Sequence, residues 1–216
     1  SHASMPIGAY SEKHIMPENK LVPVPDGVSD EVASCVTLKG ITAEYLLHRA
    51  YPLKKGDKVL YHAAAGALAQ ILCPWANSIG AEIIGTVGSK EKEEIAKKNG
   101  CHHVINYTDK NFVEEVEKIV GKNGIDVVYD GVGLKTFEGS IEVLKIRGMM
   151  VAFGNASGYV DTIDVKKHIN AKGLFFTRPS IAHYTIEREE LEESAKKVFE
   201  AVLSGKFKIE ISKKYT

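Results

Sequence analysis

A chain of 216 residues, 44% of them hydrophobic, carries enough apolar side chain to bury a core in one large domain or two small ones. Its 28 Lys and Arg are balanced by 28 Asp and Glu, which removes the charge argument for a nucleic-acid or anionic-membrane partner. The three widely spaced cysteines, Cys35, Cys73 and Cys101, form no CxxC pair, so neither a disulfide framework nor a cysteine-rich zinc lobe is expected, and a reducing cytoplasmic setting fits.

In chain order, Ser1 to Ser4 read as a cloning remnant ahead of Met5. Residues 5–28 contain Pro6, Pro17, Pro23 and Pro25, which oppose a regular helix and predict an extended entry segment with room for one short strand. A helix is predicted over Asp30–Arg49, with Ser29 as N-cap and Gly40 leaving open whether one helix or two meet there. From Asp57 onward, short runs rich in Val, Ile, Phe and Tyr alternate with amphipathic stretches. The runs are Lys58–His62, Glu82–Val87, His103–Tyr107, Asp126–Asp130, Met149–Phe153 and Leu174–Thr177. They are nearly continuous rather than alternating, as in strands buried on both faces of a parallel sheet. Helices are predicted at 66–79, 90–99, 110–120 and 134–145, with Gly80, Gly100, Gly121 and Gly148 as end caps. Residues 57–178 therefore predict a doubly wound α/β (Rossmann) domain. A helix at 187–204 and a short strand near Lys208–Ser212 follow, and no run is long enough for a membrane span, which needs about 18–20 apolar residues.

The first strand ends in His62-Ala63-Ala64-Ala65-Gly66-Ala67-Leu68-Ala69, where small residues let the backbone approach a pyrophosphate at a helix N-terminus. Only Gly66 of the three fingerprint positions (Ala64, Gly66, Ala69) is glycine, so the motif alone is weak. The second strand ends in Gly85-Thr86-Val87-Gly88-Ser89-Lys90-Glu91-Lys92, with no carboxylate at the strand end to hold ribose hydroxyls. That favours NADP over NAD and argues against a methyltransferase. Glycine clusters at Asp130-Gly131-Val132-Gly133 and Phe153-Gly154-Asn155-Ala156-Ser157-Gly158 suggest a long ligand across several strand ends, or ordinary tight turns. His62 is expected to pack or hydrogen-bond; His102 and His103 are structural or solvated, and no catalytic triad assembles.

An ordered set of stretches then resembles the zinc-independent quinone oxidoreductases of the medium-chain dehydrogenase/reductase superfamily, the zeta-crystallin-like group. They include Gly8-Ala9-Tyr10-Ser11, Leu38-Lys39-Gly40-Ile41-Thr42-Ala43, His62–Gly66, Gly85–Gly88, Val104–Tyr107, Val128–Asp130, Phe153–Gly158 and Thr177–Ser180. The resemblance implies a Rossmann domain (29–216) that binds NADPH and passes electrons to a quinone, with residues 5–28 the remnant of a GroES-like catalytic domain. It implies that Lys92 and Tyr107 hold the adenosine phosphate beside Gly88 and Ser89. Ala65, Gly66, Ala67 and Leu68 would then line the pyrophosphate, and Thr42, Gly131, Phe153, Gly154, Asn155 and Ser157 the nicotinamide end. It also implies a homodimer through the edge strand near Leu174–Thr177. Three departures stand out: Ala67 for a second glycine, Gly131 for serine, and Pro74 inside the first crossover helix. With most of the catalytic domain absent by resemblance, the alternative is an inactive truncated NADPH-binding or dimerisation module. An RNA-binding role lacks a basic–aromatic stripe.

Overall fold

The computed structural model describes residues 8, 10–211 and 213–214. Six parallel strands, β1 (Lys58–His62), β2 (Glu82–Val87), β3 (His103–Asn106), β4 (Ile125–Asp130), β5 (Leu144–Ala152) and β6 (Phe175–Thr177), form one sheet in the order β3-β2-β1-β4-β5-β6. Parallel neighbours need crossovers, and these are supplied by α2 (Ala69–Ile79), α3 (Lys90–Lys98), α4 (Phe112–Val120) and α5 (Phe137–Val143). Outside them lie α1 (Asp30–Tyr45) and α6 (Arg188–Leu203). Successive strand residues point to opposite faces. Val59, Tyr61, Ile83, Val127 and Tyr129 thus pack with α1, α2 and α6, whereas Leu60, Ile84, Ile125, Val128 and Met150 pack with α4 and α5. Both faces are covered, which explains why these strands read as continuous apolar runs.

The helix over 30–45 passes straight through Gly40, with Ser29 capping the amide of Val32 at 3.3 Å, and then widens into a π turn over Leu46–Ala50. One helix is therefore present, and the glycine serves packing. A methyl group there would collide with the Val198 side chain of α6. Tyr129, wholly buried in β4, donates its hydroxyl hydrogen to the Leu46 carbonyl at 3.0 Å and ties the π turn to the sheet.

Several expectations are corrected. The α2 helix starts at Ala69 rather than 66, because Gly66 N–H turns back to Ala63 O at 2.9 Å. It runs through Pro74 without interruption, forgoing the bond that residue's missing N–H would have made. Gly148 caps nothing; it lies inside β5, which begins at Leu144 and carries a register shift opposite Ile125/Val127. Residues 208–211 form no strand, and Ser212 lies outside the described residues. Among the described residues of the entry segment there is a single 3-10 turn, Glu18–Lys20, and no strand.

Replacing Gly40 by Ala should lower stability by about 1–3 kcal/mol, because overpacking outweighs the gain of about 1 kcal/mol in helix propensity. Urea unfolding should show this loss shrinking when Val198 is Ala in both proteins compared.

Candidate functional site

Because all six strands run the same way, their carboxyl ends open on one rim. The strand order reverses at β1, which sits between β2 and β4. Open parallel sheets bind ligands in the crevice at such a reversal.

At the centre of the rim, Ala65, Gly66, Ala67 and Leu68 all lie in the turn ahead of α2. Ala64 anchors the turn, its N–H donating to Thr86 O at 3.0 Å and its carbonyl accepting from Asn99 Nδ2 at 2.9 Å. Among the described residues, the N–H groups of Ala65, Ala67 and Leu68 find no acceptor, and Gly66 and Ala67 are exposed. A turn with unpaired amides before a helix is a ready anion cradle.

On the β2 side, Tyr107 lies across the start of α3, and a Cβ on Gly88 would stand 2.6 Å from its hydroxyl. Only glycine lets the ring lie there. Ser89 is the N-cap residue of α3 and hydrogen-bonds the Glu91 carboxyl, holding it below the usual carboxylate range. Lys92 is exposed in the first turn of α3, and Tyr107 is exposed as well. The structure thus brings Gly88, Ser89 and Tyr107 together with Lys92 close along the same helix.

On the other side, the β4 and β5 turns interlock. The amides of Phe153 and Gly154 donate to Asp130 O at 2.9 and 3.2 Å, and that of Ala156 donates to Gly131 O at 3.2 Å. The Ser157 amide and hydroxyl both donate to Val132 O, at 2.8 and 2.9 Å. A Cβ on Gly154 would strike the Gly131 backbone, and one on Gly131 would stand 3.0 Å from the Phe153 ring. Serine at 131 would therefore crowd the ring. Phe153 stacks on Tyr61 with ring centroids 6.4 Å apart. The half-buried Asn155 side-chain amide has no hydrogen-bond partner among the described residues. Thr42 lies on α1, half-buried, its hydroxyl donating to Leu38 O at 2.9 Å.

Beneath the rim runs a buried polar chain that the sequence reading missed. Asp130 Oδ1 accepts from the amides of Val132 (2.7 Å) and Gly133 (2.9 Å), Oδ2 accepts from the Thr136 hydroxyl (2.7 Å), and the Ser140 hydroxyl oxygen lies 3.4 Å from Oδ2. His62 bridges Thr86 Oγ1 (2.8 Å from Nδ1) and Ser140 Oγ (2.9 Å from Nε2). The Ser140 hydrogen is better spent on Thr136 O at 2.8 Å, so Ser140 Oγ accepts from Nε2–H and Thr86 donates to Nδ1. That is a neutral imidazole with both nitrogens satisfied. The available signal was a carboxylate at a strand end followed by hydroxyls at the i,i+4 positions 136 and 140, which share one helix face.

Burial lowers the His62 pKa below its ordinary 6.5, with the Asp130 charge opposing. The unfolded chain then binds the extra proton, so this contribution is fully present above about pH 6.5 and is lost as pH falls through the folded value. His48, lowered mainly by burial, acts in the same direction. Urea midpoints should fall between pH 7.5 and 5.5, with a limiting slope of about 1.4 kcal/mol per pH unit for each such histidine. His62→Gln should be less stable at neutral pH and should lose its share of that slope.

A family model for zinc-binding dehydrogenases matches residues 67–201. The chain is 45% identical over 213 residues to a 2-haloacrylate reductase of Burkholderia sp, covering 97% of this chain and 64% of that protein. It is 41% identical over 212 residues to quinone oxidoreductase 1 of Escherichia coli (strain K12), covering 98% of this chain and 64% of the relative. Among solved structures, a 2-haloacrylate reductase superimposes with TM-score 0.90 at 45% identity, over 94% of this chain and 64% of the other. The E. coli quinone oxidoreductase, solved in complex with NADPH, gives TM-score 0.83 at 42% identity, over 88% and 58%. The chain spans a little under two thirds of the length of the curated relatives it matches.

Proposed function

Since the chain belongs to the family of zinc-binding dehydrogenases, we propose that it is the dinucleotide-binding part of an NADPH:quinone oxidoreductase. The family name implies zinc, yet among the described residues no three His, Cys, Asp or Glu side chains converge on a metal position. The chemistry proposed for this chain's residues runs through the nucleotide.

The rim carries the reading: unpaired amides at 65, 67 and 68 lie between two glycine-lined turns on one edge of the sheet. Gly66 leaves room for a pyrophosphate to approach, and the three amides donate to it. At the adenosine end, the absence of a carboxylate after β2 and the presence of Lys92 and Tyr107 favour the extra phosphate of NADPH, with Gly88 and Ser89 lining its pocket. At the other end, Thr42, Gly131, Phe153, Gly154 and Ser157 border the nicotinamide, and the free amide of Asn155 suits its carboxamide. NADPH supplies the hydride when bound; the residues of this chain bind it, orient it and cover one side. A quinone and a 2-haloacrylate both present a carbon–carbon double bond conjugated to a carbonyl, so the two relatives' names agree on the class of acceptor.

Trp75, the chain's single tryptophan, sits on α2 behind the phosphate turn and reports binding by energy transfer to NADPH. Micromolar binding is expected. Lys92→Ala should weaken NADPH about tenfold, the loss of roughly 1.4 kcal/mol of charge-assisted contact, and NADH much less. Failure of the parent chain to bind NADPH overturns the reading, and binding without turnover of any quinone favours the inactive module.

The β6 edge supports a homodimer. It is the last strand of the sheet, Phe175 on it is 57% exposed, and Ile146 at the start of β5 is 69% exposed. An unpaired apolar edge of this kind pairs readily with a second copy. Sedimentation should give twice the chain mass, and Phe175→Lys should return it to monomer.

A further inference from the structure

A buried carboxylate with no cation beside it calls for an explanation. Asp130 is 0% exposed, and among the described residues no Lys or Arg forms an ion pair with it. His62, which interacts with it electrostatically, is separated from it by the Ser140 hydroxyl and is neutral in the hydrogen-bond pattern. Keeping an unpaired charge in such a place costs several kcal/mol.

Local architecture does not require the charge. Oδ1 accepts the Val132 and Gly133 amides, and the oxygen of an asparagine side chain does that equally well. Thr136, the hydroxyl donor to Oδ2, has another acceptor in reach in Gly133 O at 3.1 Å, and Ser140 already donates to Thr136 O at 2.8 Å. With the Thr136 hydrogen turned to Gly133 O, both hydroxyl oxygens can accept from an amide NH2. What the carboxylate adds over the amide is a negative charge, fixed in the protein interior directly under the interlocked β4 and β5 turns. Its own main-chain oxygen is the one that accepts from Phe153 and Gly154.

We propose that Asp130 is an electrostatic positioning residue that makes the bound nucleotide a stronger hydride donor, by stabilising its oxidised form over its reduced form. This rests on the nucleotide reading given above, in which the β4 and β5 turns border the nicotinamide. In the overall reaction, NADPH, a proton and a quinone give NADP+ and the hydroquinone. Two electrons pass with the hydrogen as hydride, so the nicotinamide ring is neutral before the step and cationic after it. A fixed, desolvated anion near that ring attracts only the product charge, which is the condition for preorganised electrostatic assistance. Asp126, at the opposite end of the same strand and paired with Lys145, is too far from the rim and too well compensated to contribute.

The test is the ratio of dissociation constants for NADP+ and NADPH, measured on the full chain by calorimetry for NADP+ and by fluorescence for NADPH. Asp130→Asn should raise that ratio roughly tenfold, the size expected of one buried unit charge acting at a low effective dielectric. Asp126→Asn should leave it unchanged. If Asp130→Asn does not fold, Asp130→Ser, whose hydroxyl oxygen still accepts from the turn amides, replaces it in the comparison. A purely structural role weakens both nucleotides alike, and an unchanged ratio in a folded variant overturns this inference while leaving the nucleotide reading intact. Failure of the parent chain to bind either nucleotide overturns both.

Discussion

The parallel pairing of six strands is the constraint from which the rest of this molecule follows. Parallel neighbours cannot be joined by tight turns, so every connection crosses a face of the sheet and buries it. The same rule delivers every strand's carboxyl end to one edge. Five loops of unrelated sequence, after His62, Val87, Asn106, Asp130 and Ala152, are thereby gathered into one rim without any contact having to specify it.

Close backbone approach then shapes that rim. Gly88 yields its side-chain volume to Tyr107, Gly154 to the Gly131 backbone, and Gly131 to the Phe153 ring. At Gly154 the obstacle is backbone, whereas at Gly88 and Gly131 it is the end of a side chain that would have to shift, and together the three glycines keep the rim low where an extended ligand would lie. The cradle at 63–68 is held from below, by Thr86 and Asn99 bonding Ala64 at both its amide and its carbonyl. The amides of Ala65, Ala67 and Leu68 find no acceptor among the described residues. Ala67 is exposed in this turn.

Much of this was legible beforehand. The six strands were visible as apolar runs because two-sided burial leaves no polar face, and their ends were marked by Gly66, Gly88, Gly131 and Gly154. Helix starts were less legible: α2 begins three residues late because Gly66 closes a turn that periodicity cannot see. The β5 strand begins well before Met149, in Leu144-Lys145-Ile146-Arg147, whose burial pattern is mostly exposed and whose pairing is offset by a bulge. A strand that is half solvent-exposed loses the apolar run that would announce it. The Asp130–Ser140–His62–Thr86 chain was invisible because its members come from four elements, and each alone is an unremarkable polar residue.

What the amino-acid sequence determined by itself is local and periodic: the alternation of buried strand and amphipathic helix, the small residues at the turns, and the missing acid after β2. Each depends on neighbours within a few positions, so it survives being read in one dimension. Tertiary structure alone decided what crosses between elements. It showed that Gly40 exists for Val198, that Tyr107 fills the space Gly88 vacates, and that a carboxylate without an ion-pair partner among the described residues lies buried under the rim. Such facts depend on distances between residues far apart in the chain, and these are set only when the two faces of the sheet close.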